Sequence, residues 1–215
     1  MPKAEACKKP AEKGKARVST TDPEARVMKM ADGGFRPAVN VQFATDTAQQ
    51  IITGVDVSNS GSDQGQMPPM LEQHQERYDQ VPGATLVDGG YANKEDIERV
   101  SGAEFGTVVY APVPEPKRDK DRDRYQPLPG ESAAVAEWRR RMNTPQAKEV
   151  YTDRASTAEC VNAIARNRGL RQFLVRGLKK IRAAVLWFAL AHNLVRAAAL
   201  RAVAALRAEV AVASG

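Results

Sequence analysis

Two consecutive runs rich in β-branched residues restrict most strongly what this chain can fold into. In the first run Val39, Val41 and Phe43 alternate with polar or small residues, as in a strand with one buried face. The second run, residues 51–57, consists mainly of Ile, Val and Thr. The polar turn at residues 45–47 between the runs predicts that they pair as antiparallel strands. The apolar face of such a pair must be covered by other elements.

The following segments alternate between helical and strand patterns. Apolar residues recur at helical spacing from Met67 to His74, and Asn93 can cap a helix over residues 94–102. Short apolar runs at residues 84–88 and 107–111 predict two more strands. Three further helices are predicted at residues 133–142, 145–168 and 178–212. This order predicts an α/β fold, a mixed sheet with flanking helices.

The composition limits how large the ordered part can be. The chain has 215 residues, of which 27% are charged and 13 are Pro, so we expect one modest domain with solvated tails. Residues 1–30 are predicted to form a charged, disordered tail, and residues 31–196 the domain. Residues 112–130 are predicted to form a charged, Pro-rich loop within it. Residues 197–215 are Ala-rich and predict a helical tail.

Charge, cysteine content and hydropathy narrow the cellular setting. The net charge of +6 favours a polyanionic partner only weakly. The two cysteines lie far apart and fit a reducing, cytoplasmic compartment. The longest apolar stretch, residues 183–195, falls short of the ~20 residues that span a bilayer. Because Arg182 and Arg196 flank it, we expect no membrane span.

Two acidic residues stand where a metal site could form. Asp88 ends the apolar run Leu86-Val87-Asp88 and precedes Gly89-Gly90, which allows a tight turn beside a ligand. Glu159 lies inside the predicted helix over residues 145–168. Carboxylates from separate elements suit Mg²⁺ or Mn²⁺, which prefer oxygen ligands. The alternative is that Asp88 only stabilises the turn and Glu159 lies on a solvated helix face.

Arg166 follows Glu159 by seven positions. In a regular α-helix the two side chains would lie within about 20° of each other around the axis. A guanidinium there suits phosphate oxygens of a DNA backbone. An exposed helix face with paired charges explains the same spacing.

The strings Leu86-Val87-Asp88-Gly89-Gly90-Tyr91 and Tyr151-x2-Arg154-x4-Glu159-x6-Arg166 together resemble bacterial insertion-sequence transposases of the DDE type. The resemblance spans about residues 17–196. Three further segments carry it: Thr20-Thr21-Asp22-Pro23-Glu24-Ala25-Arg26, Gly33-Gly34-Phe35-Arg36-Pro37-Ala38-Val39-Asn40-Val41-Gln42 and Arg166-Asn167-Arg168-Gly169-Leu170.

The resemblance implies a ribonuclease-H-like fold and metal-dependent DNA cleavage and strand transfer. Asp88 would be the second catalytic acid and Glu159 the third, and both would bind Mg²⁺ (or Mn²⁺). Tyr151, Arg154 and Arg166 would be the accompanying signature and contact DNA. The implied partners are transposon ends, target DNA, and further copies of the chain or a companion transposase chain.

The signature departs from the family pattern in its spacing. The family has three residues between the Arg and the Glu and a Lys after the Glu, whereas this chain has four residues there and Arg166 in place of the Lys. We expect the extra residue to rotate Arg154 relative to Glu159, so that Arg154 would support the helix while Glu159 alone meets the metal.

A second departure concerns the first catalytic Asp, which the family carries on a strand before the Thr20 segment. We expect that strand to be missing, so that the chain is the C-terminal portion of the catalytic domain and inactive alone. Asp46 and Asp56 belong to the turn and strand of the first sheet, and we interpret them as structural. One alternative is a non-catalytic fragment that binds DNA or a transposase. Another is a different ribonuclease-H-like nuclease that uses Asp46 or Asp56.

Overall fold

The computed structural model describes residues 19–30, 32–116 and 121–213. The chain divides into two compact units. The discontinuous unit comprises Met1–Gly61 and Cys160–Gly215, and the central unit comprises Ser62–Glu159. The single domain predicted over residues 31–196 is therefore divided between two units.

The discontinuous unit begins with a hairpin of β1 (Arg26–Lys29) and β2 (Phe35–Ala38). A disordered tail was predicted through residue 30, but residues 26–29 pair with β2. The turn explains the difference, because Gly33 adopts a φ of +80° and the Met30 N–H donates to the Gly34 carbonyl at 2.8 Å. The predicted tail at residues 1–18 lies outside the described residues.

The predicted antiparallel pair forms as β3 (Asn40–Thr45) and β4 (Ile52–Ser58). The buried positions of β4 include Val55 and Val57, as the apolar pattern indicates. In β3 the buried side chain is Gln42, at 5% exposure, while Val41 and Phe43 are only partly buried. The side chains of the predicted apolar face of β3 are therefore more exposed than the side chain of Gln42 between them.

Two helices complete the discontinuous unit, α5 (Cys160–Asn167) and α6 (Leu178–Ala213). The apolar face of α6 packs on β4 through Ile181, Val185 and Ala189. The long helix therefore supplies the cover that the apolar face of the β3–β4 pair requires. The predicted helical tail is helical through Ala213, and residues 201–212 are exposed.

Polar side chains tie α6 to the start of β4. The Asn193 side-chain amide donates to the Ile52 carbonyl and its oxygen accepts the Ile52 N–H, both at 2.8 Å.

By length and composition α6 could also cross a membrane, although 22% of its apolar window is buried in the protein. A single helix of this kind is weak support for a membrane span, because core helices pass the same test.

The central unit contains the remaining elements. Their bounds are α1 (Met67–Tyr78), β5 (Ala84–Leu86), α2 (Lys94–Ser101), β6 (Val108–Tyr110), α3 (Ala133–Met142) and α4 (Pro145–Arg154), which continues into a π-helical turn (Ala155–Glu159). β5 and β6 pair in parallel over three residues each. The six described strands therefore form three two-stranded sheets, not the single mixed sheet that was predicted. With only three residues in β5 and in β6, the helices supply most of this unit's core.

The core of the central unit is centred on Trp138, which is 1% exposed. Its indole Nε1 donates to the Ala111 carbonyl at 3.1 Å, so the one polar atom of the ring has a partner. Ile97 and Val100 of α2 and Val109 of β6 are fully buried beside it. α2 and α3 thus hold the parallel pair in place.

A buried ion pair lies at the start of α3. The Glu131 carboxylate accepts hydrogen bonds from Arg139, Lys94 and the Leu128 N–H, with donor distances of 2.8–3.1 Å. The side chains of Glu131 and Arg139 are 4% and 5% exposed. Burial alone would raise the pKa of Glu131, but these donors outweigh it and lower the pKa to about 2. The carboxylate is therefore ionised at any physiological pH.

Candidate active site

The π turn determines where Glu159 points. In a regular α-helix, residues five apart project about 140° apart around the axis. A π turn closes over five residues, so its ends return to the same side. Arg154 Nη1 accordingly donates to Glu159 Oε1 at 2.7 Å. The expected rotation of Arg154 relative to Glu159 assumed uninterrupted α-helical geometry, and the π turn offsets it.

The same guanidinium reaches Asp88. Arg154 Nη2 lies 3.3 Å from Asp88 Oδ2, and the Arg154 side chain is 19% exposed. The carboxylates are more accessible, at 42% exposure for Asp88 and 58% for Glu159. Arg154 thus joins two acids that are 71 positions apart in sequence. Charge compensation by one cation reduces the repulsion between them.

Asp88 also shapes its own loop. β5 ends at Leu86, and the Asp88 Oδ1 accepts the Gly90 N–H at 2.8 Å. The turn-stabilising role considered for Asp88 is therefore present together with its contact to Arg154. A Cβ atom at Gly90 would lie 2.9 Å from Asp88 Oδ1 and 3.1 Å from Asp63 Oδ2. Only glycine fits at that position without displacing a carboxylate.

Asp63 is a neighbour that the sequence did not indicate. It lies in the loop before α1. Its Oδ2 and Asp88 Oδ1 both lie within 3.1 Å of the position that a Cβ atom would occupy at Gly90. Burial raises the pKa of the adjacent Tyr91 phenol, and the negative charges of Asp63 and Asp88 raise it further. The Ser-rich sequence of this loop does not indicate that Asp63 lies near Asp88, because the two residues come together only when the chain folds.

Tyr151 connects α4 to the segment that precedes Asp88. Its phenol donates to the Val87 carbonyl at 3.2 Å. Partial burial raises the Tyr151 pKa, so the group stays protonated and able to donate. Tyr151 therefore fixes the backbone one residue before the acid. No DNA contact is needed to explain its position.

Arg166 lies in the other unit. It is an exposed residue near the end of α5 in the discontinuous unit. The predicted common face of Glu159 and Arg166, and the predicted contact of Arg166 with DNA, stay predictions.

The oxygen ligands of this site suit a hard cation, but the set is small. Within the described ranges, no group of three Asp, Glu, His or Cys side chains is placed to hold a metal ion. Asp88 and Glu159 offer carboxylate oxygens, which Mg²⁺ and Mn²⁺ prefer. Arg154 contacts both carboxylates, so an ion that binds them must compete with the guanidinium.

Comparison with known families bears on the same region. Residues 116–198 match the family model described as "Transposase DDE domain". The match supports a DDE-type transposase. The matched range contains Tyr151, Arg154, Glu159 and Arg166, while Asp88 precedes it. No curated protein and no solved structure matched the chain.

Proposed function

We propose that the chain acts in DNA transposition as part of a DDE transposase of the bacterial insertion-sequence kind. The observation that carries the proposal is the convergence of Asp88, Arg154 and Glu159 in and beside the region that matches the transposase DDE domain. DNA is then the substrate, and the cytoplasm, at the nucleoid, is the site of action. The ribonuclease-H-like fold is part of the proposal, with the parallel β5–β6 pair and its covering helices as the elements that would belong to it.

In this proposal Asp88 and Glu159 hold Mg²⁺ or Mn²⁺. The bound ion would stabilise negative charge on phosphodiester oxygens as a Lewis acid. It would also lower the pKa of the attacking water or hydroxyl. Arg154 keeps the two carboxylates at one place, and its guanidinium also suits a phosphate oxygen of DNA. Tyr151 holds the Val87 backbone, which limits movement of Asp88.

We expect the chain alone not to cleave DNA. Asp88 and Glu159 are two acids where the DDE signature requires three, and one guanidinium neutralises part of their charge. The same observation favours the second candidate, a non-catalytic chain that binds DNA or pairs with a transposase. Metal-dependent nicking by the purified chain of a plasmid carrying the DNA that flanks its own gene would contradict the expected inactivity.

Mn²⁺ binding tests the site without requiring cleavage. Isothermal titration calorimetry or electron paramagnetic resonance should show saturable Mn²⁺ binding by the chain. Asp88→Asn and Glu159→Gln should each lower the Mn²⁺ affinity at least about tenfold, since each removes a charged ligand. Asp56→Asn is the control, because Asp56 is a partly exposed acid of β4 in the other unit. Loss of binding in Asp56→Asn alone would favour the alternative nuclease instead. Absence of saturable binding by the wild-type chain would overturn the proposed metal site.

A further inference from the structure

A second carboxylate lies next to the Asp88 oxygen that does not contact Arg154. Arg154 holds Asp88 through Oδ2, whereas Asp88 Oδ1 accepts the Gly90 N–H at 2.8 Å. Asp63 Oδ2 lies 3.1 Å and Asp88 Oδ1 2.9 Å from the position of a Cβ atom at Gly90. The two oxygens are therefore no farther apart than the sum of these distances, 6.0 Å. Asp63 and Asp88 thus face one small space within the central unit.

Gly90 keeps that space open. Any other residue at position 90 would place its Cβ atom against both carboxylates. Oxygen ligands of one Mg²⁺ ion lie about 3 Å apart when adjacent and about 4 Å apart when opposite, since each is ~2.0–2.1 Å from the ion. The upper bound of 6.0 Å for Asp63 and Asp88 exceeds this range by about 2 Å, a distance that rotation of short carboxylate side chains can cover. The space therefore fits one hard cation.

The loop that carries Asp63 is held in place by α2. Asp96, which is 8% exposed in α2, accepts the Gly65 N–H through Oδ2 at 2.6 Å. The Asp63 carbonyl accepts the Gln66 N–H at 3.2 Å. Met67, the first residue of α1, is buried in the core of the same unit. The backbone after Asp63 is therefore anchored, while the Asp63 side chain is only partly buried and accessible to an ion.

We propose that Asp63 is a further ligand of the divalent cation at Asp88, and that it binds the ion through Oδ2 across the space that Gly90 leaves open. The presence of a cation rests on the proposed function, and the match to the transposase DDE domain supports it independently of these carboxylates. Mg²⁺ in proteins is commonly held by one or two carboxylates together with waters and phosphate oxygens, so the pair is a sufficient anchor. Because such an ion meets Asp88 through Oδ1, Arg154 keeps its contact with Oδ2.

Calorimetric titration of the full chain with Mn²⁺ tests the role of Asp63. Asp63→Asn should lower the Mn²⁺ affinity about tenfold, because it removes a charged ligand and keeps the size of the side chain. Asp79→Asn is the matched control, because Asp79 is an exposed aspartate at the far end of α1, about 18 Å along the helix axis. The left-handed backbone of Asp79, with a φ of +51°, suits Asn. The control should leave the Mn²⁺ affinity unchanged, and circular dichroism melts establish that both variants are folded.

A change of ligand chemistry separates direct coordination from a general effect of charge. Asp63→Cys replaces a hard oxygen ligand with a thiolate, which prefers a soft ion such as Cd²⁺ to Mn²⁺. The ratio of Cd²⁺ affinity to Mn²⁺ affinity should therefore rise at least about tenfold in Asp63→Cys. Asp79→Cys adds the same thiol at the far end of α1 and should leave the ratio at its wild-type value. Neither measurement requires DNA cleavage.

The possible failures can be told apart. Wild-type Mn²⁺ affinity in Asp63→Asn, together with weakened binding in Asp88→Asn, would overturn the role of Asp63 and leave the proposed metal site standing. An unchanged ratio of Cd²⁺ to Mn²⁺ affinity in Asp63→Cys would also overturn it, since Asp63 would then act only through its charge. Absence of saturable Mn²⁺ binding by the wild-type chain would overturn the metal site itself, and the role of Asp63 with it.

Discussion

Replacing Glu131 with Gln should destabilise the central unit more than any surface charge replacement. The Glu131 carboxylate is 4% exposed and holds the equally buried Arg139, and Lys94 of α2 also pairs with it. The Gln side chain keeps the size and one acceptor oxygen but removes the negative charge. Arg139 would then be a buried cation without a counter-charge, which is a costly arrangement.

The magnitude follows from the pKa of Glu131. The ordinary value is 4.5 and the value in the fold is about 2. At about 1.4 kcal/mol for each pH unit, the ionised carboxylate stabilises the fold by about 3 kcal/mol. Removing one partner of a buried ion pair costs about 3–5 kcal/mol in general, which agrees. We therefore expect Glu131→Gln to lower the free energy of unfolding by about 3 kcal/mol at pH 7.

Urea unfolding followed by tryptophan fluorescence measures this quantity for the central unit. Trp138 is buried there at 1% exposure, whereas Trp187 is 71% exposed on α6. A Trp187→Phe background leaves Trp138 as the reporter of the unit that contains Glu131. The matched control is Glu72→Gln, because Glu72 and its partner Arg99 are 43% and 47% exposed. Such an exposed pair contributes less than about 1 kcal/mol.

The pH dependence gives a second readout. Because folding lowers the Glu131 pKa, the stabilisation is fully present above pH 4.5 and is lost as the pH falls toward 2. The wild-type free energy of unfolding should fall across that window, and the Glu131→Gln variant should lack this part of the decline. A Glu131→Gln cost below about 1 kcal/mol at pH 7, or no difference in acid sensitivity, would refute the reasoning.

Three further replacements test individual contacts. Asn193→Ala removes both hydrogen bonds to the Ile52 backbone, which should cost about 1–3 kcal/mol and accelerate hydrogen exchange at the Ile52 amide. Gly90→Ala places a methyl group 2.9 Å from Asp88 Oδ1, so Mn²⁺ affinity should fall about tenfold while the melting temperature changes little; unchanged affinity would contradict the crowding argument. Arg154→Gln removes the cation that competes for the two carboxylates, so Mn²⁺ affinity should rise about tenfold in titration calorimetry, about 1.4 kcal/mol, and a fall would show that Arg154 organises the site more than it blocks it.

The sequence predictions that depend on near neighbours agree with the structure. Alternation and turn chemistry place β3 and β4 correctly, and Asn93 caps α2 by accepting the Glu95 N–H. Contacts between distant segments behave differently. The burial of Gln42 and the approach of Asp63 to Asp88 depend on packing that no local pattern encodes. The division into three two-stranded sheets also depends on packing between distant segments.

The candidate site was predicted in part. Asp88 and Glu159 were named from the sequence, and Arg154 and Tyr151 from the resemblance, and all four lie in the central unit. The position of Arg154 was not predicted, because helical spacing was assumed to be uniform. The competition of Arg154 with a metal ion is visible only once its two contacts are known.

The π turn also bears on how insertions are tolerated in a helix. One added residue in a uniform α-helix would turn every later side chain by about 100° and move Val161 and Ala165 of α5 out of their buried positions. A local widening confines the disturbance to a single turn. A pattern that assumes a uniform α-helix would place Arg154 and Glu159 on different sides, although the two side chains meet. In this chain the directions of Arg154 and Glu159 therefore do not follow from the number of residues between them, because the helix is locally widened.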